Sequence, residues 1–202
     1  MSLRLSGGRR LQSPPGSTAR PTPARVRLAV MNMLAPQLPG AAWLDLFCGS
    51  GVMGCEALQR GAASVVAVDQ DRRNVATAQA NLKAVAGGLT PPPPVQVIQQ
   101  EVLRWLDQGN RADAATELQS GKFDLIYADP PYAAGLYEPV AASVLSHGWL
   151  KPGGKLLLEC ASSQPTPLPE GWELIKLKRY GSSSVLVLEP LLEPHPEPPE
   201  TA

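Results

Sequence analysis

Hydrophobic and polar positions along this chain switch repeatedly between two periods. Short apolar runs of strand length fall at residues 42–47, 64–68, 95–98, 123–127 and 155–160. Between them lie segments whose apolar residues recur at helical spacing. Val26, Val30, Met33 and Leu34 make one apolar face of a first helix, and residues 52–60 predict a second. A third starts at Asp71, runs through Val75, Ala78 and Leu82 and is closed by Gly87-Gly88; two more fall near 102–106 and 137–146. Strands alternating with helices imply an α/β fold whose parallel sheet is covered on both faces. Residues 172–177 and 184–189, with Tyr180-Gly181 between them, predict a closing antiparallel pair.

Turn chemistry punctuates the pattern. Residues 3–12 alternate loosely around Gly7-Gly8 and predict a short hairpin, followed by the extended, Pro-rich stretch 13–23. Thr22 is placed to cap the first helix with Pro23 at its first position, and Pro36 ends it. Lys-Pro-Gly-Gly at 151–154 reads as a turn, and the acidic, Pro-rich segment 190–202 as a disordered tail. The organisation is thus an arm (1–24), one globular domain (25–189) and a tail (190–202).

Charge changes the picture only through its distribution. The net formal charge is zero, yet Arg4, Arg9, Arg10, Arg20, Arg25 and Arg27 occupy the first thirty residues with no acid among them. A basic arm on a neutral body suits phosphate contact at that end; a solvated terminus has the same composition. Cys48, Cys55 and Cys160 have neither disulfide parity nor metal-ligand spacing, so reduced core residues and no metal site are expected. No apolar run has membrane-spanning length, and a cytoplasmic protein is expected.

Two stretches carry chemistry. In Phe-Asp-Leu-Ile-Tyr-Ala-Asp-Pro-Pro-Tyr (123–132), an apolar run ends in Asp129, and Pro130-Pro131 stop the strand. The stiff corner offers a carboxylate, free carbonyls and the Tyr132 ring, which suits an amine on a flat base. A strand ending in a Pro-rich turn beside a core tyrosine is the plainer reading of that motif alone. The second stretch, Gly49-Ser50-Gly51-Val52-Met53-Gly54, follows the first strand and satisfies the dinucleotide pattern, with Asp69 at the usual distance for a ribose acid. Asp45, inside the strand before the turn, argues for a different ligand. A buried carboxylate there needs a cation; the ammonium of an amino acid supplies one, and a pyrophosphate would be repelled. Glu101, near the end of the third strand, can accept from an adenine amine or simply begin a helix. Acids at successive strand ends suit S-adenosylmethionine, which is cationic and carries an amino acid, a ribose and an adenine in a row.

The stretches LDLFCGSGVMGCEAL, VVAVDQD and FDLIYADPPY resemble the nucleic-acid amino-methyltransferases. The opening GGRRLQSPPGSTARPTPARVRLAVMNML and the closing KRYGSSSVLVL are similar to those of the bacterial 16S rRNA (guanine-966 N2) methyltransferases, a likeness running from about Leu3 to Glu189. The resemblance implies a class I methyltransferase: a Rossmann-like seven-stranded mixed sheet in the order 3-2-1-4-5-7-6 with an N-terminal hairpin arm. It implies that Asp45, Gly49 and Gly51 hold the methionine part of S-adenosylmethionine and that Asp69 binds the ribose. Thr22, Phe47, Glu101 and Val102 complete the cofactor neighbours. The family shows Gly-Asp after the third strand where this chain has Gln100-Glu101, which weakens the case for Glu101 at adenine. Asp129, Pro130, Pro131 and Tyr132 would form the catalytic loop. Arg9, Arg10, Arg20 and Arg25 would grip ribosomal RNA within a small-subunit particle, with the enzyme a monomer. The rivals are an adenine-N6 methyltransferase, a non-catalytic RNA-binding assembly factor and a dinucleotide oxidoreductase.

Overall fold

In a computed structural model, which describes residues 3–16, 23–109, 121–131 and 135–191, the apolar runs form one seven-stranded sheet. In chain order the elements are α1 (Ala24–Met33), β1 (Ala42–Leu46), α2 (Val52–Gln59), β2 (Ser64–Asp69), α3 (Arg72–Ala86) and β3 (Val95–Gln99). They continue with α4 (Val102–Asp107), β4 (Phe123–Ala128), α5 (Tyr137–Ser146), β5 (Leu150–Ala161), β6 (Trp172–Tyr180) and β7 (Ser183–Pro190). The strand order is β3-β2-β1-β4-β5-β7-β6, with β7 antiparallel to both neighbours and the other pairings parallel. This is the expected class I Rossmann-like architecture.

Side chains alternate across the sheet and build two separate cores. Trp43, Val65, Ala67, Leu125, Tyr127, Leu157, Val185 and Val187 point to the face covered by α1, α2 and α3. Leu44, Leu46, Val66, Val68, Ile126, Ala128, Leu156 and Leu158 point to the face covered by α4 and α5. A one-residue slip in any central pairing would exchange the two sets, and both faces being buried is what specifies the register. α2 is buried from Val52 to Leu58, all round rather than on one stripe, because it is wedged between the sheet and α3.

Three boundaries differ from the pattern reading. Pro23 is the N-cap of α1 and not its first helical residue; Thr22 lies outside the described residues. The 151–154 segment is no free turn. It belongs to β5, where pairing steps from Phe123↔Leu150 to Leu125↔Lys155 and the extra residues bulge out. A Cβ at Gly154 would sit 2.9 Å from the Phe123 carbonyl oxygen, so the bulge needs its glycine for close backbone approach. Finally, β6 extends through Tyr180, leaving a tighter turn to β7 than the pattern suggests.

The N-terminal residues do form a hairpin, closed by an Arg4↔Arg10 bridge and by the Leu11 N–H donating to the Leu3 carbonyl. Leu3 and Leu5 enter the core, and a buried ion cluster fastens the rest. Glu56 on α2, 1% exposed, accepts from the Ser6 N–H (2.9 Å), the Ser6 hydroxyl (2.6 Å) and Arg60 Nη1 (2.6 Å). Arg27 brings its Nε within 3.7 Å of the same carboxylate, an ion-pair contact too long for a hydrogen bond, and donates through Nη2 to the Arg4 carbonyl. Burial pushes the Glu56 carboxyl up, but the Ser6 and Arg60 hydrogen bonds outweigh it and hold it below the ordinary value. Its contribution to stability is therefore present above the ordinary carboxyl range and fades as pH falls through the folded-state value. Glu56→Ala leaves the Arg27 charge buried without this carboxylate and should cost roughly 3 kcal/mol in denaturant unfolding. Trypsin should then cut faster at Arg9 and Arg10, whereas Glu56→Gln should behave between the two.

Candidate active site

The sheet topology decides where a ligand can lie. From β1 the chain proceeds outward through β2 and β3, then returns to start β4 on β1's other side. At such a reversal the loops leaving two neighbouring strands diverge and open a crevice at their carboxyl ends. Pairing of Asp45 with Tyr127 and of Leu46 with Ala128 sets the glycine turn after β1 beside Asp129 and Pro130 after β4. Sequence reading named these two stretches separately; the β1–β4 ladder brings them together.

The glycine turn is held in shape by Asp69. Its Oδ2 accepts from the Gly49 N–H (2.9 Å), its Oδ1 accepts from the Asp71 N–H (2.8 Å), and Asn74 Nδ2 lies 3.2 Å from both oxygens. A carboxylate has about four acceptor positions, and these four contacts occupy them, the two longer ones to Asn74 being those a ligand hydroxyl would displace. Phe47, half-buried, stands at φ 59°, an unusual value for a bulky residue and one that turns the chain out of β1. Gly51 at φ 71° is the N-cap of α2, and a Cβ there would sit 3.0 Å from the Ala78 Cβ. Both conformation and space therefore require glycine. Gly49 differs: a Cβ on it would meet nothing within 4 Å, so this part of the turn faces open space.

Asp45 is the electrostatic anomaly of the site. It is 2% exposed, and its Oδ2 accepts from the Gly54 N–H at 3.1 Å. Among the described residues no lysine or arginine pairs with it. Burial raises its carboxyl well above the ordinary range; the Gly54 bond opposes this, and the charges of Asp129 and Asp69 add to it. A buried acid beside two more acids, with no cation paired to it among the described residues, suits a positively charged ligand group. Those residues fit S-adenosylmethionine: Asp45 for its ammonium, the open Gly49 side for the chain of the amino acid, and Asp69 for a hydroxyl.

Other predicted residues fall less centrally. Both Glu101 oxygens cap α4, accepting from the Leu103 N–H (3.0 Å) and the Arg104 N–H (2.7 Å), so the helix-starting reading of this acid is the one its geometry shows. Val102 beside it is buried. Asp129 is half-buried, Pro130 buried and Pro131 exposed, while Tyr132 lies outside the described residues. In the arm, Arg9 donates to the Ala84 carbonyl in the last turn of α3, Arg10 is exposed, and Arg20 lies outside the described residues. Arg25 is exposed on α1.

Two groups escaped sequence reading. Asn81, 3% exposed on α3, donates to the Ser50 carbonyl (2.9 Å) and to the Gln12 carbonyl (3.0 Å), and accepts from the Gln12 N–H (2.9 Å). One side chain thus ties the arm to the glycine turn. Its signal was a polar residue on the apolar face formed by Ala78, Leu82 and Val85, as Asn74 also is. The second group is Glu159 on β5, which accepts from the buried Tyr127 hydroxyl; burial raises both groups above their ordinary values. No local pattern distinguishes it from a strand-end acid. The three cysteines are buried free thiols, and no metal-ligand cluster occurs among the described residues.

The raised Asp45 carboxyl makes a signed prediction for the unliganded protein. A group whose folded-state value lies above its unfolded value stabilises least once pH has risen through the folded value. Asp45→Asn keeps an acceptor for Gly54 and removes the buried charge. Thermal melts should show little difference from wild type near pH 4 and a growing advantage for the variant toward pH 8. A gap independent of pH would exclude the buried-charge account.

The chain matches the family described as Conserved hypothetical protein 95 over residues 5–189. It is 30% identical over 174 residues to ribosomal RNA small subunit methyltransferase D of Haemophilus influenzae, covering 86% of this chain and 84% of that protein. The Escherichia coli (strain K12) protein of the same name is 30% identical over 175 residues, covering 86% and 81%. A solved structure of the Escherichia coli protein yhhF superposes with a TM-score of 0.76 at 28% identity, over 94% of this chain and 98% of that one. With the strand order, the acid-lined crevice and these relatives in agreement, the chain belongs to the Conserved hypothetical protein 95 family and is a class I S-adenosylmethionine-dependent methyltransferase.

Proposed function

We propose that this enzyme methylates the exocyclic N2 amine of a guanine in small-subunit ribosomal RNA, acting as a cytoplasmic monomer on RNA within a small-subunit particle. The observation that carries the reading is the position of Asp129-Pro130: a carboxylate and a carbonyl at the carboxyl end of β4, in register beside the one acid of β1, Asp45. The names of the relatives, ribosomal RNA small subunit methyltransferases, supply the substrate class.

The bound cofactor supplies an electrophilic methyl group on a sulfonium. The chain supplies the rest. Guanine N2 is a poor nucleophile because its lone pair is delocalised into the ring. Asp129 and the Pro130 carbonyl accept its two hydrogens and turn the lone pair toward the methyl group. As the nitrogen acquires positive charge, these fixed acceptors stabilise the charge where it develops. Asp129 need not be a strong base, since the methylated ammonium loses its proton readily. Tyr132 stacks on the base turned out of its helix, worth about 1–3 kcal/mol. Asp45 acts at a distance from this chemistry, as the anion that anchors the ammonium of the donor.

The decisive measurement is transfer of a labelled methyl group to small-subunit RNA, followed by digestion to nucleosides. The label should appear on N2-methylguanosine; label on N6-methyladenosine would replace this reading with an adenine enzyme that uses the same acceptors. Asp129→Ala should lower turnover by roughly 10²-fold or more, while calorimetric affinity for the cofactor changes only modestly. Undiminished turnover would remove Asp129 from the mechanism.

A further inference from the structure

The arm is the segment whose charge was legible in the sequence, but it is not the only basic surface at the carboxyl edge of the sheet. β6 is an edge strand, and it is exposed from Glu173 to Arg179 although it is part of a buried sheet. Its two faces differ in character. Lys176 pairs with Val187 and Lys178 with Val185, which puts both lysines on the α1 side of the sheet, about 7 Å apart, with Tyr180 next in line. Leu174 and Leu177 pair with Leu188 and Leu186 and lie on the opposite side. Arg179 pairs with Ser184 near the strand's end and lies on that opposite side too. No acid occurs from Leu174 to Leu188. Among the described residues none of Lys176, Lys178 and Arg179 makes an ion pair.

Register fixes where this surface lies. Val185 pairs with both Glu159 of β5 and Lys178 of β6. Glu159 follows the Ala128↔Leu158 pair, so Lys178 is level with Asp129 across the sheet. The β6–β7 turn also reaches back to α1. The Arg25 guanidinium lies against Gly181. Gly181 has φ 66°, a conformation that glycine adopts without strain. Arg25 thereby joins the charges of β6 to the arm-bearing side of the domain, on the same rim as the proposed catalytic corner.

We propose that Lys176 and Lys178 of β6, continued by Arg25 of α1, form a second phosphate-binding surface that holds the RNA backbone flanking the methylated nucleotide. The proposal rests on RNA being the substrate. Charge complementarity selects the occupant: from Lys176 to the β6–β7 turn the surface is cationic and open, with an aromatic side chain beside the lysines, as in grooves that track a nucleic-acid backbone. The arm alone grips RNA on one side of the catalytic corner, and a base turned out of a helix needs its backbone held on both sides. β6 lies on the other side of Asp129 in the sheet order.

The test uses the full chain, a small-subunit RNA fragment that wild type methylates, and anisotropy titrations across a range of salt. Each phosphate that the protein no longer neutralises lowers the slope of log affinity against log salt by about 0.7–0.9. Lys176→Gln/Lys178→Gln should flatten the slope by about 1.5 on that basis, weaken RNA binding several-fold at moderate salt and raise KM for RNA. Cofactor affinity by calorimetry should stay unchanged, which also shows that the variant is folded. Arg10→Gln serves as the comparison in the arm. If Arg10→Gln flattens the slope and the double lysine variant does not, the β6 proposal falls and the substrate reading stands. If the double variant aggregates while its RNA affinity is unchanged, the lysines serve only to guard an open strand edge, and the proposal falls. Loss of methylation on assembled particles with unaltered naked-RNA binding would assign β6 to a protein neighbour instead, and would equally overturn it. Wild type that binds no RNA at all would bring down the substrate reading together with this one.

Discussion

The parallel ladder between β1 and β4 is the constraint on which the rest of this enzyme depends. Neither strand carries a complete site. β1 delivers a buried acid and a glycine turn; β4 delivers a carboxylate and a proline corner. Their pairing at Asp45↔Tyr127 and Leu46↔Ala128 makes one crevice of two loops far apart in the chain. Because both sheet faces are buried, that register cannot slip by one residue without turning Trp43, Leu125 and Tyr127 into the wrong core. The packing that stabilises the fold thus also sets the catalytic geometry.

Within that frame the three acids near the crevice do different work. Asp69 is mostly committed to the protein, holding Gly49 and the start of α3 in place. A dry setting with one backbone donor penalises the charge of Asp45, a cost that a cationic ligand offsets. Asp129 is the most exposed of the three, as suits a group that must meet a large substrate. Exposure and partners, more than residue type, separate an organising acid from a binding acid and a reacting one.

The arm shows the same economy. A hairpin this short does not hold its shape alone in water. Leu3 and Leu5 in the core, Glu56 on Ser6, and Asn81 on Gln12 fix it to α2 and α3. Asn81 also holds the Ser50 carbonyl, so the segment proposed to grip RNA and the turn that cradles the cofactor share one buried side chain. Arg9, expected with Arg10 to grip RNA, also donates to a carbonyl at the end of α3, while Arg10 is exposed.

The sequence by itself determined the alternation of strands and helices, the glycine turn, the proline corner and the acid, Asp45, set inside an apolar strand, because each is a local matter of period, turn chemistry or an ion in an apolar run. It also placed α5 correctly and came within a few residues of most other elements. The tertiary structure decided what depends on partners distant in the chain. That Asn81 ties the glycine turn to the arm and that Glu159 meets Tyr127 follow from groups brought together by folding. So does the fate of the 151–154 segment: Lys-Pro-Gly-Gly is turn-like in isolation, but pairing with β4 on both sides absorbs it as a bulge. Hydrogen bonds of buried polar groups are satisfied wherever the fold offers a donor or acceptor, and one-dimensional patterns carry no record of which neighbour that will be.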